Sequence, residues 1–543
     1  MNKFINMGEN LTHSQEGSLK IKHFNNEFVE QFSNISRYRE LRDFTEIQED
    51  MEKLWKIDPV MACQFVLYLR MITRETKYQD NKYKCTGAGL KHESICRMYW
   101  IGMWHWDEFE KILPLFISVG SWKDLFQLWR MDITGNNMNA MTYKGTRLYW
   151  NKLLDLVEFG LDIDRDMVVK YLPAYVCRKR QTTALKKANS MIAKYIMQHL
   201  WPQSINDKTG KVIQNFHYRK LKNGNAYDWQ VKISHQDYNN INFNTIAGRA
   251  LMLLTNGEFL KKHGLEEKFA NWILSKPMAK FTGYVYELFA NYNSNFPKWK
   301  KELIDRQFNK LLADGKDNKS DLFVVMDTSG SMTGRVPGTK VTAYTIARAL
   351  ALYFSYSLKG DFKDTFAFFG SKCEMCCWND GTPTEKWEGD YGEEDWGNTN
   401  FQKVIDLFIT LKERCVHESD FPKGILCISD GEFENHGINQ TEFEYAISRM
   451  RQHFSKEYCD SFRIILWDIP NNFYTDIPEK KKFEGNGNFV YMAGYEASNV
   501  RFLFNEDPKS ETQPKSTKEV FLKAMDQPIL RMVPEILNKK GTI

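Results

Sequence analysis

Leu322-Phe-Val-Val-Met-Asp-Thr-Ser-Gly-Ser331 runs five apolar residues directly into a carboxylate and two hydroxyls set at every second position. A short apolar run bounded by turn residues reads as a buried strand. The alternation of Asp327, Ser329 and Ser331 lets all three side chains face one ion. Outward from this stretch, Val341–Leu358 has the spacing of an amphipathic helix. Further apolar runs at Thr365–Phe369, Gly424–Ser429, Phe462–Trp467 and Phe489–Met492 predict strands, with helical patterns at Phe401–Arg414 and Glu442–Phe454 between them. Lys518–Leu537 predicts a closing helix. Strands alternating with helices predict a parallel, doubly wound, Rossmann-like α/β domain over residues 316–543.

Open α/β sheets place ligand sites beyond the carboxyl ends of their strands. Two more loops at that edge carry matching chemistry. Gly397-Asn-Thr-Asn400, ahead of a helix, offers the hydroxyl of Thr399, and Ser429-Asp-Gly431, at a strand end, offers Asp430. Two carboxylates and three hydroxyls suit a hard cation with six oxygen ligands, Mg²⁺ above all, or another divalent ion. The set contains no Cys or His, which disfavours zinc. The plain alternative is that these residues cap helices and close turns.

Asp327-x-Ser329-x-Ser331, followed in order by Thr399 and Asp430, resembles the metal-ion-dependent adhesion site (MIDAS) of von Willebrand factor A (vWA) domains. That resemblance implies a vWA fold with a coordination sphere left incomplete, so that an acidic residue or a phosphate of a partner completes it. It implies a binding module rather than an enzyme, and no Ser–His–Asp, HExxH or P-loop pattern points to catalysis.

Upstream the texture is different. After an N-terminal extension over 1–45, residues 46–315 show three- and four-residue apolar spacing with few β-rich runs. Predicted helices include Val60–Thr76, opened by Asp58-Pro59, then Lys91–Trp104, Trp106–Ser118, Ser121–Arg130, Tyr149–Phe159, Arg180–His199 and Lys298–Ala313. Short helices in series predict an all-α, solenoid or HEAT-like module, though without a clean repeat period. Gln203–Ile241, rich in Asn, Lys, Gly and Tyr, reads as an excursion with little regular structure. The polar stretch Ala313–Ser320 is the expected boundary.

Charge divides the chain as well. Residues 1–320 carry 48 Lys+Arg against 35 Asp+Glu, a balance of +13, and residues 321–543 carry 26 against 34, a balance of −8. A basic half suggests a polyanion surface. The best candidates for RNA contact are Arg178, Lys179, Arg180, Lys186, Lys187, Arg219, Lys220 and Lys222, whose cations attract phosphates and release counterions. His217, Tyr218, Tyr227 and Trp229 interleave with them and offer rings for stacking on unpaired bases. The alternative is a solvated basic face with ordinary core aromatics.

Gly87-Ala-Gly-Leu-Lys-His-Glu93, Leu113–Leu125 and Ile246-Ala-Gly-Arg-Ala-Leu251 look like the helical-repeat module of Ro-type (TROVE-like) RNA-binding proteins, which join such a module to a C-terminal vWA domain. This resemblance implies a cytoplasmic ribonucleoprotein component that binds small structured or misfolded RNA. A vWA adaptor or structural protein, virus-encoded or not, docking a protein partner through its metal, is the alternative. No stretch approaches the ~20 uninterrupted apolar residues of a membrane span, so no membrane partner is expected. Met1–Glu9 lacks the apolar core of a secretory signal. The ten cysteines, mostly inside apolar runs, read as reduced thiols of a cytoplasmic protein. Cys373-Glu-Met-Cys376-Cys377 reads as an extended segment with its thiols on two faces. The acidic run Glu388–Asp395 reads as a solvated loop or as a rim to the metal site.

Overall fold

The computed structural model describes residues 11–13, 19–21, 26–35, 38, 42–134, 143–175, 182–206, 209, 211–224, 229, 232–233, 235–256, 258–314, 322–337, 339–356, 358, 362–392, 396–414, 417–431, 433, 442–469, 488–503 and 516–539. A helical N-terminal region is followed by an α/β region. Two hairpins, β1 (Leu11–His13) with β2 (Leu19–Ile21) and β3 (Arg74–Tyr78) with β4 (Asn81–Cys85), lie in the first.

The second region is built on one sheet of β5 (Leu322–Asp327), β6 (Thr365–Phe369), β7 (Cys373–Cys377), β8 (Gly424–Ser429), β9 (Arg463–Asp468) and β10 (Phe489–Ala493). Its order is β10-β9-β8-β5-β6-β7. All neighbours are parallel except β6 and β7, which pair antiparallel at one edge. Every residue of β5, β6, β8 and β10 is buried, as continuous apolar strands must be when both faces are covered.

Period-two alternation sorts the strands into two cores. Leu322, Val324, Met326, Leu426 and Ile428 face the helix Ala343–Ser355. Phe323, Val325, Ile425 and Cys427 face the helices Gln402–Glu413, Glu442–Met450 and Lys456–Ser461. The second core is closed. The first is continuous with the N-terminal helices, so the expected boundary near residue 315 separates element types without separating cores.

The C-terminal helices Thr517–Met525 and Met532–Asn538 make that continuity tangible. Phe521 packs on Phe28, Phe32 and Phe65, and Lys111 Nζ donates to the carbonyl of Leu537 at 2.7 Å. Gln527, 3% exposed, accepts from the amide of Thr86 at 2.9 Å and donates to its carbonyl at 2.8 Å.

Four sequence expectations need correction. Lys518–Leu537 is two helices, because Pro528 has no N–H to continue the first and disfavours helical backbone at Gln527 before it. The helix from Pro59 stops at Arg70, and the chain turns into β3. That hairpin turns on Gln79 and Asp80, with φ of 47° and 63°, the left-handed pair whose twist suits a two-residue turn. The N-terminal region is therefore helical with strand hairpins rather than all-α. Within 203–241, residues Phe216–Gly224 form a helix. No helix among the described residues is long and apolar enough to cross a membrane.

Candidate metal centre

The chain leaves β5 to make β6 on one side and returns to make β8 on the other. This reversal puts the switch point of the sheet at the carboxyl ends of β5 and β8, the place where doubly wound sheets bind ligands. Asp327 is the last residue of β5 and is fully buried. Its Oδ1 accepts from the amide of Ser329 at 2.8 Å, and its Oδ2 accepts from the hydroxyl of Ser429 on β8 at 2.5 Å. Burial raises its carboxyl to about 6, against the opposing pull of the Ser429 and Ser329 hydrogen bonds.

Ser329 and Ser331 lie on the same loop, their hydroxyl oxygens 3.0 Å apart. Ser329 is 2% exposed, while Ser331 is half-buried toward the outside. The Thr399 loop is fastened to this one. Gly330 donates from its amide to the carbonyl of Gly397 at 3.2 Å, and Asn400 donates to the carbonyl of Gly370 at 3.2 Å. Asp430, 7% exposed, follows Ser429 directly. Gly431 then turns the chain at φ +78°, a conformation that suits glycine, and its amide donates to the Ser429 hydroxyl at 2.9 Å. Asp327, Ser329 and Ser331 are thus linked by hydrogen bonds, Asp430 adjoins the serine that binds Asp327, and Thr399 arrives on a tethered loop.

The chemistry of the donor set fits a hard divalent cation. The hydroxyl of Thr399 is fully buried and has no hydrogen-bond partner, which is costly for a polar atom unless something else binds it. Among the described residues no group of three or more His, Cys, Asp or Glu is placed to hold a metal ion, so the fit rests on the hydroxyl donors together with Asp327 and Asp430.

Two residues at this edge were not singled out from sequence. Ser429 binds Asp327 directly. Asp468 ends β9, pairs in register with Ser429 and is 2% exposed. Its signal was present: Ile464-Ile-Leu-Trp-Asp468 repeats the apolar strand ending in a carboxylate seen at Leu322–Asp327.

The basic candidates are scattered by comparison. Arg178, Lys179, Arg180 and Tyr227 lie outside the described residues, as do Glu393, Glu394 and Asp395 of the acidic run. Lys186 and Lys187 sit early in the helix Thr183–Leu200, half-buried and exposed respectively. Arg219 and Lys220 are exposed on Phe216–Gly224. Lys222, on the same helix, donates to the carbonyl of Leu172, at the end of the helix Arg165–Tyr171. Tyr218 is buried, its hydroxyl donating to the carbonyl of Pro173 at 2.7 Å, and belongs to the core rather than to a stacking surface. His217 is exposed and stacks on Trp201 at 5.9 Å. Glu388 is bonded to Tyr292 and Lys301 of the helical region, so it does not rim the metal edge. Cys373, Cys376 and Cys377 lie on the edge strand β7, as the extended reading expects.

Fold and site together define a helical protein carrying a doubly wound domain with oxygen-bearing side chains gathered at its switch point. Residues 321–534, which span the whole of this sheet, match the model of a domain of unknown function, DUF7788. No curated protein matches the chain.

Proposed function

We propose that this protein is a metal-dependent binding protein of the Ro-like kind, with a vWA-type domain whose ion contacts an anionic group of a partner and a basic helical region that engages RNA. The observation that carries this reading is the buried, unpartnered hydroxyl of Thr399 on a loop fastened to the Asp327–Ser331 loop. A divalent ion held there, Mg²⁺ in the first instance, supplies a positive point to which a phosphate or carboxylate oxygen binds.

The chain's own residues do the rest. Asp327 is fixed by Ser329 and Ser429, so its carboxylate is oriented before any ion arrives. Thr399 and Ser329 present neutral oxygens from buried positions, and Ser331 stands at the outer side, toward an incoming partner. Arg219, Lys220, Lys186 and Lys187 supply phosphate contacts in the helical region.

A second reading, in which the partner is a protein carboxylate and no RNA is bound, draws support from Lys222 and Tyr218, since both serve internal packing. Titration of labelled single-stranded RNA against the full chain, across a salt series and with Mg²⁺ or EDTA, separates the two. Salt-dependent affinity is expected for the RNA reading. No affinity at low ionic strength, with Mg²⁺ binding intact, leaves protein docking in its place.

A further inference from the structure

The helix Lys298–Asp314 sets Lys300, Leu303, Ile304 and Gln307 at three-, four- and seven-residue spacing, so all four share one face. That face, the helix Gly248–Asn256 and the helix Val285–Phe289 with the turn after it border a cavity of about 340 Å³ that opens to the surface. It lies at a seam, where the first core, through Leu288 and Ile304, meets a separate cluster that includes Leu303.

Two polar groups in its wall lack what their chemistry requires. Gln307 is fully buried, and its Nε2 donates to the carbonyl of Lys280 at 3.2 Å. A carbonyl only accepts, so this bond fixes which way the amide faces and leaves Oε1 on the other side. Oε1 has no hydrogen-bond partner among the described residues, a costly state for a buried acceptor. Lys300 stands half-buried at the rim, its ammonium 3.6 Å from the centre of the Phe296 ring, which is another wall of the cavity. Burial lowers its pKa below the ordinary lysine value, and no carboxylate among the described residues counters that. Glu287, the acid in the lining, bends its carboxylate back onto Gly283.

We propose that this cavity binds a small hydroxylated organic acid, whose hydroxyl donates to Gln307 Oε1 and whose carboxylate meets the Lys300 ammonium. Met252, Leu288, Leu303 and Ile304 line the space with apolar surface, which suits a compact hydrocarbon frame. An acceptor at the floor and a cation at the rim set the orientation, donor inward and anion outward. A water molecule would satisfy Gln307 alone; the cation and the apolar walls are what call for an acid. The site belongs to the helical region and goes beyond the metal-dependent binding proposed above.

4-Hydroxybenzoate carries the two groups at opposite ends of one ring and serves as the probe. Calorimetry on the full chain, in EDTA so that no metal ion contributes, should show saturable binding. Benzoate, which lacks the hydroxyl, and 4-methylphenol, which lacks the carboxylate, should each bind about tenfold more weakly. Lys300→Met should weaken 4-hydroxybenzoate about tenfold and leave 4-methylphenol unchanged. Gln307→Met should bring 4-hydroxybenzoate down to the affinity of benzoate, with thermal melting to show that the variant folds. Should it not fold, the three ligands on the parent chain and on Lys300→Met still decide. Equal affinity for all three ligands, or parental affinity of Lys300→Met for 4-hydroxybenzoate, overturns the proposal. So does the absence of binding at millimolar 4-hydroxybenzoate, which leaves the cavity to water.

Discussion

The carboxyl edge of the sheet and the basic stretch around Phe216–Gly224 are opposite in charge, and they hold their charges by opposite means. At the edge, Asp327, Asp430 and Asp468 are buried, each fixed by a strand end whose register the sheet determines. In the basic stretch, Arg219 and Lys220 extend into water from one helix, and the neighbouring Lys222 turns inward to a helix-end carbonyl. A buried acid must have a partner, so its geometry carries functional information. An exposed lysine is well solvated wherever it points, so a cluster of them in sequence does not fix a cluster in space.

The largest effect should come from Asp327→Ala. This change removes the carboxylate that Ser329 and Ser429 orient, and Mg²⁺ binding by calorimetry should disappear while the circular dichroism of the sheet persists. Unchanged Mg²⁺ affinity would strip the edge of its special status and leave its residues as turn and capping groups.

RNA affinity tests the other side. Replacing Arg219 and Lys220 together by Gln should lower affinity for single-stranded RNA and reduce the slope of log K against log salt by roughly 1.4, at about 0.7 per neutralised phosphate. The measurement needs the full chain, because the first core runs through both regions and a cut near residue 315 would expose it. A slope equal to that of the parent would remove this helix from the RNA surface.

Asp305 sharpens the comparison as a buried acid with structural partners. It is 5% exposed on the helix Lys298–Asp314 and accepts from the amide and hydroxyl of Thr384 at 2.8 and 2.9 Å, bracing the helix Pro383–Glu388. Burial raises its carboxyl to about 6, with the Thr384 hydrogen bonds opposing. Its unfolded value is near 3.9, so between the two the folded protein holds a proton that the unfolded chain has released. Stability from that proton is complete below about 4 and is lost as pH rises through about 6. Asp305→Asn should therefore gain about 2 kcal/mol on the parent between pH 4 and 7, at 1.4 kcal/mol per unit with allowance for the lost hydrogen bond. Denaturant titrations over that range should show the gain equally in Mg²⁺ and in EDTA. A gain that depends on Mg²⁺ would make Asp305 part of the metal edge.

Legibility in the sequence follows the same physics. Five apolar runs announced β5, β6, β8, β9 and β10 because strands buried on both faces are apolar along their middles, with polar residues only at their ends. Asp327 and Asp430 could be read because a carboxylate or turn follows such a run directly, and Asp468 obeys the same rule at the end of β9. The β3–β4 hairpin was silent. Its turn, Gln79-Asp80, lacks the Asn-Gly or Asp-Gly pair, and Arg74–Tyr78 and Asn81–Cys85 are too polar to stand out. Tyr218 and Lys222 read from sequence as RNA-facing but turn inward, since a nine-residue helix with mixed faces does not reveal which side meets Leu172 and Pro173.

The smallest effect belongs to Lys222. Its ammonium donates to the carbonyl of Leu172, the C-terminal cap of Arg165–Tyr171, where unpaired carbonyls and the helix dipole favour a cation. Lys222→Met keeps the aliphatic stem and removes the charge and the donor. It should cost about 1 kcal/mol of stability, the scale of a cation at a helix C-terminus. The RNA salt slope should not change, because the charge faces inward. Denaturant melts and the same salt series measure both quantities on one preparation. A flattened slope with unaltered stability would put Lys222 back among the phosphate contacts, and the contrast between the fixed acids of the edge and the solvated bases of the helix would then lose one of its main supports.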